Sequence, residues 1–500
     1  MNKLKTITWH EQRLYGLNGR HETTAEACHS STKHKASGFA GKRILLLQGP
    51  VGPFFWNLAK DLRSADATIF KFNFNAGDWL FYPRGASSFR GELPQWPAVL
   101  EAFIVEHQID AVLIFGDCRP VHRCVPALTE RLGCALGVFE EGYLRPDHVT
   151  FEPRGVNGHS NFHEHLAARL KQRSRMGLAL SSHAPVPSGK PWKKVGNSFG
   201  HAATWGFIYF FVAWVWQWHW NNALHHRRMT ARDAPWWCLS YLRKLWYRHA
   251  EKQAGSSLLH GNLRRKFFLV PLQVYNDPQI LVHSDFEGVA DFIGHLMCSF
   301  SHALAREQTE GLPESGRSIA GDVLVFKHHP MDRGHRNYAR IIHRLSQRYG
   351  LEGRVLYIHD QHLPSLLKSA KGVVLVNSTT GLSALGHGAP VKVCGKALYD
   401  LPKLTYQGPL KDFWFLSQQA KPDKAVLLRF RDALIECTQL NGSFYRKLPD
   451  VPWQCGVALN GRMAPRLWRS GHLTNPACWP ECGETQAPAH EWAGGHLGDC

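Results

Sequence analysis

Several features that mark common protein classes are missing from this sequence of 500 residues. Residues 1–35 are polar and rich in histidine and carry no apolar stretch, so we expect no secretory signal there. Zinc-finger spacing, an aromatic RNA-binding signature and long runs of lysine and arginine are also lacking, which argues against a nucleic-acid partner. What remains is an ordinary globular composition with 44% hydrophobic residues, enough to bury a sizeable core.

Cysteine and histidine show no pattern of a disulfide or metal framework. The 12 cysteines have no dense or regular spacing, which is typical of reduced thiols in a cytoplasmic protein. The 30 histidines include the close group His159, His163 and His165, but no H-E-x-x-H pair occurs and acidic residues with zinc-site spacing are missing. We therefore predict no metal and no other bound cofactor.

Positive charge is the strongest signal in the composition. Lysine and arginine number 59 against 40 aspartates and glutamates, which gives a formal net charge of +19 at pH 7. Such a chain calls for an anionic partner, for example a phosphorylated or acidic substrate or an anionic lipid. Because the basic residues are scattered among aromatic ones, a membrane surface fits them better than nucleic acid does.

Strands and helices alternate in two separate parts of the chain, residues 41–160 and residues 261–445. Alternation with helices of this length predicts parallel sheets with right-handed crossovers. We therefore predict an α/β protein with two Rossmann-like lobes, joined by a helical, aromatic and basic insertion at 161–260. Residues 1–40 are expected to form a flexible N-terminal tail, and residues 446–500 an irregular C-terminal tail.

The run Ala203–Trp220 within the insertion is dense in tryptophan, phenylalanine and tyrosine, with basic residues on both sides at 190–194 and 227–232. Aromatic residues with basic flanks suit a helix that lies among lipid headgroups. A helix buried between the two lobes would have a similar composition, and both interpretations are left open. A true membrane span is a third, for which the run is short.

Two adjacent carboxylates, Glu140 and Glu141, follow a predicted strand at Ala135–Phe139 and precede Gly142. In an open α/β sheet the carboxyl ends of the strands face the ligand crevice. A carboxylate placed there can act as a general base or as a nucleophile toward a sugar. The tripeptide is also common in solvated loops, so its weight comes from two further motifs. We predict that both glutamates are catalytic.

Two motifs at strand ends of the second lobe suit a phosphate group. The first is Lys327–Pro330, whose lysine and histidines can hold phosphate by charge-assisted hydrogen bonds, and His329 can also protonate a leaving group. The second is Asn377–Gly381, whose hydroxyls and backbone N–H groups can bind an anion or simply cap a helix. His329 is counted with the catalytic residues, and the predicted donor-binding residues are Lys327, His328, Pro330, Asn377, Ser378, Thr379, Thr380, Gly381, Gln273 and Asp277.

We expect the two lobes to face each other across a cleft that binds a nucleotide-activated substrate. Polar residues in the loops of the first lobe are candidates to line the first-lobe side of this cleft. The glycines of the turn at 48–53 permit close approach of the backbone to a ligand, although the turn is neither a Walker nor a G-x-G-x-x-G loop. A second loop is predicted at 75–79. A donor with a single phosphate has less need of a divalent ion than a pyrophosphate donor. The predicted cleft residues of this lobe are Gln48, Gly49, Asp78, Asp117, Arg119, Arg145 and Asn157.

Taken together, these segments resemble the capsule polysaccharide biosynthesis and export family. The matching stretches lie between residues 41 and 410, and they include RILLLQGPVGPFF (43–55), VFEEGYLRPDHVT (138–150), VFKHHPMDRG (325–334) and NSTTGLSALGHGAPVK (377–392). The resemblance implies a GT-B-like fold and a retaining β-Kdo transferase that uses the nucleotide sugar CMP-Kdo. It also implies a phosphatidylglycerol-type lipid acceptor at the inner face of the cytoplasmic membrane of a Gram-negative bacterium, and contact with the capsule export machinery.

Within this resemblance, Glu140–Gly142 is similar to the acidic-acidic-glycine motif of CMP-sugar transferases, Lys327–Pro330 to their His-Pro motif and Asn377–Thr380 to their Ser/Thr motif. Related modules commonly carry aspartate at the second acidic position, so whether Glu141 acts as nucleophile or as base is left open.

The carboxylate of the acidic sugar has three candidate partners, Arg119, Arg145 and Gln48. Two alternatives to a transferase are also left open. One is a non-catalytic export adaptor that binds lipid-linked glycan at the inner membrane, and the other is a lipid-binding protein driven by its basic and aromatic surface.

Overall fold

The computed structural model of the protein describes residues 38–167, 192–220, 224, 234–275, 277–459 and 462–468. Most of the two predicted tails lies outside the described residues, and so does the basic flank at 227–232.

Twelve strands in the described part of the chain form one sheet of seven strands and one of five. In chain order they are β1 (Arg43–Leu46), β2 (Thr68–Asn73), β3 (Ser87–Ser88), β4 (Ala111–Phe115), β5 (Ala135–Glu141), β6 (His148–Pro153), β7 (Phe267–Pro271), β8 (Val323–Lys327), β9 (Val355–Ile358), β10 (Gly372–Leu375), β11 (Val391–Val393) and β12 (Gln439–Asn441).

Helices connect these strands. Those of the first lobe and the insertion are Phe54–Arg63, Ala76–Phe81, Trp96–Glu106, Val125–Arg131, Phe199–Val215, Ala234–Ala250 and Lys252–Leu259. Those of the second lobe and the C-terminal segment are Pro278–Leu281, Val289–Thr309, Ala339–Arg348, Leu363–Ser369, Thr380–Gly386, Leu410–Leu416, Lys424–Thr438 and Met463–Trp468.

Both sheets are buried on both faces. Successive residues of a strand point to opposite sides of the sheet, and here the residues on each side enter a different apolar core. In β1, Ile44 and Leu46 enter one apolar core and Leu45 enters another. In β7, Phe267 and Phe268 are divided in the same way between two cores. This burial explains the short apolar runs from which the strands are predicted. The two separate sheets with their connecting helices confirm the α/β class with two Rossmann-like lobes.

The two sheets share one strand order. The first reads β3-β2-β1-β4-β5 and the second β9-β8-β7-β10-β11, with all of these strands parallel. In each sheet the chain reverses its direction of winding between two neighbouring strands, β1 and β4 in the first and β7 and β10 in the second. Ligands of open α/β sheets bind beyond the carboxyl ends of the strands at such a point.

The first sheet continues beyond β5 with two strands that the sequence pattern does not predict. β6 pairs antiparallel with β5, and β12 pairs antiparallel with β6. The chain therefore returns from the second lobe to the first after the helix Lys424–Thr438.

Residues beyond β12 also pack on the first lobe. Phe444, Val457, Met463 and Leu467 are buried in the same core as Ile44. The predicted boundary at 445 is thus not a boundary of packing. Residues 446–459 are irregular in secondary structure, but they and the helix Met463–Trp468 bury apolar side chains in the first lobe.

The predicted loop at 75–79 is instead the start of the helix Ala76–Phe81. The side chain of Asn75 caps it by accepting a hydrogen bond from the backbone N–H of Asp78 at 2.9 Å. Gly77 lies against the ring of Tyr209, closer than a Cβ atom at position 77 would allow. A glycine and a capping asparagine read as a loop in the sequence, but here they begin a helix and admit a neighbouring ring.

That neighbouring ring belongs to the helix Phe199–Val215, called the aromatic helix below. Tyr209 is buried, and Trp205 packs edge-to-face on Phe81 with ring centroids 5.6 Å apart. The opposite face is open, since Phe207 is 70% exposed. The aromatic helix is therefore docked on the first lobe by one face only. Among the described helices, none has the length and apolar character needed to cross a membrane.

Candidate active site

The winding reversal of the first sheet brings Gln48 and Arg119 together. Gln48 follows β1 and Arg119 follows β4, and the guanidinium donates to Gln48 Oε1 at 3.3 Å and to the Gly49 carbonyl at 2.9 Å. The guanidinium also lies over the Phe115 ring at 4.7 Å. Burial lowers the pKa of Arg119, although nearby acidic groups such as Glu140 oppose this effect. A cation held in this way is suited to bind an anionic group.

Asp78 is buried, and its carboxylate is hydrogen-bonded to other groups of the protein. Its carboxylate accepts from the Phe74 N–H at 3.0 Å, from Gln48 Nε2 at 3.2 Å and from the Tyr209 hydroxyl at 2.7 Å. The hydroxyl of Tyr209 in turn accepts from Asn75 Nδ2 at 2.8 Å. This predicted cleft residue therefore joins the aromatic helix to the floor of the first lobe.

The two glutamates end β5, and β6 holds that end of the strand in register, with Glu140 opposite Thr150 and Glu141 opposite Val149. The backbone N–H of Glu141 donates to Glu140 Oε1 at 2.9 Å. The hydroxyl of Tyr445 donates to Glu141 Oε1 at 2.8 Å. Each carboxylate thus has a different partner, and one of these partners comes from the C-terminal segment.

Burial raises the pKa values of Glu140 and Tyr445, two groups that are hydrogen-bonded to Glu141 in this site. Burial raises the pKa of Glu140 to about 7, and the charge of Glu141 adds to this, whereas Arg119 opposes it. Burial also raises the pKa of the Tyr445 phenol, which keeps the hydroxyl a proton donor toward Glu141. A carboxyl group that titrates near neutral pH can give or take a proton during a reaction at that pH.

Asp117 lies beside this pair, at the end of β4. Its carboxylate accepts from the Val156 N–H at 3.0 Å and from His159 Nδ1 at 3.2 Å. Burial by itself would raise the pKa of Asp117, but these hydrogen bonds and the charge of His159 outweigh it and lower the pKa. Asn157 is anchored in the same loop, since its backbone N–H donates to the Tyr143 hydroxyl at 2.7 Å.

The winding reversal of the second sheet brings Gln273 and Asn377 together. Gln273 Nε2 donates to Asn377 Oδ1 at 3.2 Å and to Asp277 Oδ2 at 3.3 Å. Asn377 Nδ2 donates to the carbonyl of His283 at 3.3 Å. Three predicted donor-binding residues therefore form one hydrogen-bonded group at the expected crevice.

The hydroxyls after Asn377 organise the turn into the helix Thr380–Gly386. The Ser378 hydroxyl accepts from the Thr380 N–H at 3.2 Å and donates to the Thr380 hydroxyl at 3.2 Å. Gly381 lies against the Tyr399 hydroxyl, closer than a Cβ atom at position 381 would allow. The turn is therefore packed tightly on its inner side.

The residues of Lys327–Pro330 have unequal exposure. Lys327 and His328 are buried, and Tyr357 forms a 2.6 Å hydrogen bond with His328 Nδ1. Burial lowers the pKa of Lys327 and lowers that of His328 to about 3. His329 is half-buried, its Nδ1 accepts from the Met331 N–H at 3.2 Å, and Pro330 begins a short 3-10 turn. Of the two histidines, only His329 is open enough to meet a ligand.

A small cleft lies between the two lobes. It is lined by Tyr143 and Asn157 from the first lobe and by Asn377, Thr379, Leu382, Lys396, Leu398 and Tyr399 from the second. Arg145 is exposed, and its guanidinium donates to the Gly142 carbonyl at 3.2 Å. Neither Glu141 nor His329 is among the residues that line this cleft, and their convergence on opposite sides of a single gap stays a prediction.

Three residues of the site escape the sequence pattern. His283 reaches the first lobe, where its Nε2 lies 3.9 Å from Cys118 Sγ and its ring is 4.4 Å from that of His159. Tyr445 is far along the chain from its partner Glu141, and Lys396 reaches the cleft from beyond β11. His283 and Tyr445 belong to no motif at a strand end, so no local signal distinguishes them. Lys396 comes three residues after the end of β11, and that position is the one signal that could have indicated it.

Comparison with known proteins gives consistent matches. A family model described as "Capsule polysaccharide biosynthesis protein" matches residues 110–445. The Escherichia coli "Capsule polysaccharide export protein KpsS" is 37% identical over 409 residues, which cover 81% of this chain and 97% of that protein. The "Capsule polysaccharide modification protein LipB" of Neisseria meningitidis serogroup B is 37% identical over 416 residues, 82% and 93% of the two chains.

Among solved structures, the beta Kdo 2,7 transferase of Thermosulfurimonas dismutans KpsC aligns with 80% of this chain and 98% of its own. The identity is 13% and the TM-score is 0.37.

Proposed function

Because the chain belongs to the capsule polysaccharide biosynthesis protein family, we propose that it is a glycosyltransferase of the capsule pathway that moves Kdo from CMP-Kdo to a phosphatidylglycerol-type lipid. The observation that carries the proposal is the pair Glu140 and Glu141, which ends β5 with two different partners and a pKa of about 7 for Glu140. An export adaptor has no need for two adjacent carboxylates at a strand end, one of them oriented by a tyrosine hydroxyl.

The proposed reaction retains the configuration at the anomeric carbon through two displacements. A Glu141 oxygen forms a bond to the anomeric carbon while the bond to the CMP phosphate oxygen breaks, and CMP leaves with the bonding electrons. The lipid hydroxyl then attacks the same carbon, the bond to Glu141 breaks, and the hydroxyl proton is lost to a base. Tyr445 holds the Glu141 carboxylate in one orientation for the first step.

Glu140 is the proposed base of the second step. With a pKa of about 7 it is partly ionised at neutral pH and can accept the proton of the lipid hydroxyl. Arg119 supports a site for the carboxylate of the sugar, because it is a half-buried cation that Gln48 and the Gly49 carbonyl hold near Glu140. A second arginine candidate, Arg145, is exposed and less constrained.

The second lobe supplies the proposed donor site. The group Gln273, Asp277 and Asn377 lies at the winding reversal, and Lys396 lines the adjoining cleft. Polar side chains and a lysine there suit the ribose and the single phosphate of CMP. We predict that binding of CMP needs no metal ion, since there is no pyrophosphate to bridge.

Transfer is tested by incubating the purified protein with CMP-Kdo and phosphatidylglycerol and measuring the mass of the lipid. Glu141→Gln should abolish the mass increment while CMP binding stays within about twofold, because glutamine keeps the oxygen that accepts from Tyr445. The exposed Glu101→Gln should behave like the wild type and serves as the control.

Two results would contradict the assignment. Unchanged turnover in Glu141→Gln would exclude Glu141 as the nucleophile. A wild type that binds lipid-linked glycan but produces no mass increment with CMP-Kdo would favour the adaptor. Intact-protein mass spectrometry after a short incubation with CMP-Kdo alone should detect one Kdo on the wild type and none on Glu141→Gln.

The open face of the aromatic helix supports a peripheral location at the cytoplasmic face of the inner membrane. Phe207 on this helix is 70% exposed, and Trp218 in the short turn after the helix is 75% exposed. The helix Ala234–Ala250 also carries the exposed Trp246, together with the exposed Lys244 and Arg248. Exposed aromatic residues near cations, on a chain with a formal net charge of +19, suit anionic headgroups.

Vesicle sedimentation tests this surface. The variant with Phe207→Ser and Trp218→Ser should partition onto phosphatidylglycerol vesicles at least tenfold more weakly, since each lost apolar contact is worth about 1.5 kcal/mol or more. Leu428→Ser removes an exposed apolar residue from the helix Lys424–Thr438 and is the matched control. Equal binding of both variants would show that the aromatic helix does not contact lipid.

A further inference from the structure

Three soft ligand groups meet where the two lobes touch. Cys118 follows β4, His159 follows β6, and His283 precedes the helix Val289–Thr309 of the second lobe. The thiol and one ring nitrogen from each histidine all lie within 4.8 Å of one another, the one such cluster within the described residues. Cys118 Sγ and His283 Nε2 are 3.9 Å apart. A single ion bound at about 2.0–2.3 Å from each group would fit between them with small side-chain movements.

Asp117 lies next to the cluster and can orient the ring of His159. Asp117 Oδ2 is 3.2 Å from His159 Nδ1, and the same carboxylate is fixed by the Val156 N–H. With Nδ1 engaged in this way, the nitrogen that would bind a metal ion is Nε2. Histidines that bind metals commonly donate their other N–H to a carboxylate, which sets the tautomer and the orientation of the ring.

The backbone on both sides is shaped to bring the rings close. The His283 ring lies against Gly158, in space that the Cβ atom of any other residue would occupy. The carbonyl of His283 accepts from the Lys396 N–H at 3.1 Å and from Asn377 Nδ2 at 3.3 Å. The position of His283 is therefore set by the donor-side group of the second lobe and by a gap in the first lobe.

The geometry points to a metal site in which Cys118, His159 and His283 bind one divalent ion of the zinc class and link the two lobes. One thiolate and two imidazoles are ligands that Zn²⁺ prefers, whereas Mg²⁺ and Ca²⁺ need oxygen ligands. Three protein ligands leave one coordination position for water or a substrate group. Binding releases the thiol proton of Cys118 to solvent and changes no oxidation state.

The site is distinct from the proposed transfer chemistry. It does not bridge a phosphate, so it is compatible with a metal-free CMP site, and it would form or fail whether or not the protein transfers Kdo. The three ligands do not form a recognisable motif in the sequence, because His283 comes from the other lobe, 165 residues from Cys118.

Metal content of the full-length protein tests the proposal. Wild type, Cys118→Ser and Cys437→Ser are stripped with a chelator, loaded with Zn²⁺ or Co²⁺, and freed of excess ion. Cys437 is a half-buried thiol on the helix Lys424–Thr438 and is the matched control. Wild type and Cys437→Ser should retain one more equivalent than Cys118→Ser, and should show a thiolate-to-cobalt charge-transfer band that Cys118→Ser lacks.

Two variants that keep all three ligands extend the test. Asp117→Asn should weaken Zn²⁺ binding about 10–100-fold by disturbing the orientation of His159. Gly158→Ala should weaken it by at least tenfold by displacing His283, and Gly206→Ala, where a Cβ meets open space, should leave it unchanged. Circular dichroism confirms that each variant is folded.

Equal metal content and equal cobalt spectra in wild type and Cys118→Ser would overturn the proposal. The cluster would then be a hydrogen-bonded contact between the lobes. The same conclusion would follow if Gly158→Ala, folded like the wild type, bound Zn²⁺ with unchanged affinity.

Discussion

The variant Glu140→Gln should be more stable than the wild type at alkaline pH and equally stable at acidic pH. Burial raises the pKa of Glu140 from its ordinary value of 4.5 to about 7. A difference of this size corresponds to about 3 kcal/mol between the protonated and ionised forms. The ionised carboxylate therefore destabilises the folded protein by about 3 kcal/mol, and glutamine removes that penalty.

The sign follows from proton binding in the two states. Between pH 4.5 and 7 the folded protein holds a proton on Glu140 that the unfolded chain has released, so the free energy of unfolding falls as the pH rises. Below pH 4.5 both states are protonated and there is no penalty. Glu152, whose pKa burial also raises to about 7, contributes the same slope to wild type and variant and cancels in their difference.

Urea unfolding at pH 4.5 and pH 8 measures the effect. The two proteins should agree at pH 4.5 and differ by about 3 kcal/mol at pH 8, with Glu140→Gln the more stable. Infrared difference spectra should contain a protonated-carboxyl band that disappears near pH 7 in the wild type and is weaker in the variant. Glu101→Gln, on the surface beside Arg131, is the control and should leave the slope in this range unchanged.

A stability difference that is the same at pH 4.5 and pH 8 would refute the reasoning. So would a variant that is less stable than the wild type at pH 8, because Glu140 would then be stabilised as an anion. Either result would also remove the argument that Glu140 is the base of the second displacement.

Three further perturbations test the packing around the site. Tyr209→Phe removes the hydroxyl that donates to Asp78 and should cost about 1–3 kcal/mol, seen as faster hydrogen exchange in the aromatic helix. Phe444→Ala should cost about 3–5 kcal/mol in urea unfolding of the first lobe, although the residue follows the second lobe in sequence. Gly381→Ala should cost about 1–3 kcal/mol and weaken CMP binding in calorimetry, because its Cβ would overlap a tyrosine hydroxyl. Gly386→Ala, whose Cβ meets open space, should change neither the stability nor the binding of CMP, and it is the control for Gly381→Ala.

The two α/β lobes and their strand-end motifs could be predicted because their signals are local. Short apolar runs such as Ala111–Phe115 and Val323–Lys327 mark strands buried on both faces, and the polar residues that follow them lie at carboxyl ends. The residues around Asn75 predict a loop where the structure has the start of a helix, since the same residue types occur in turns and at helix starts.

Which polar residues face one another depended on the order of the strands, which no local pattern contains. The strand order placed Arg119 on Gln48 and Gln273 on Asn377, and the return of the chain in β12 brought Tyr445 to Glu141. His283 reached Cys118 across the lobes in the same way. The sequence by itself determined the elements and the chemistry at their ends, because these depend on neighbours a few residues apart. Only the tertiary structure decided which ends meet, because those contacts join residues that are tens to hundreds of positions apart.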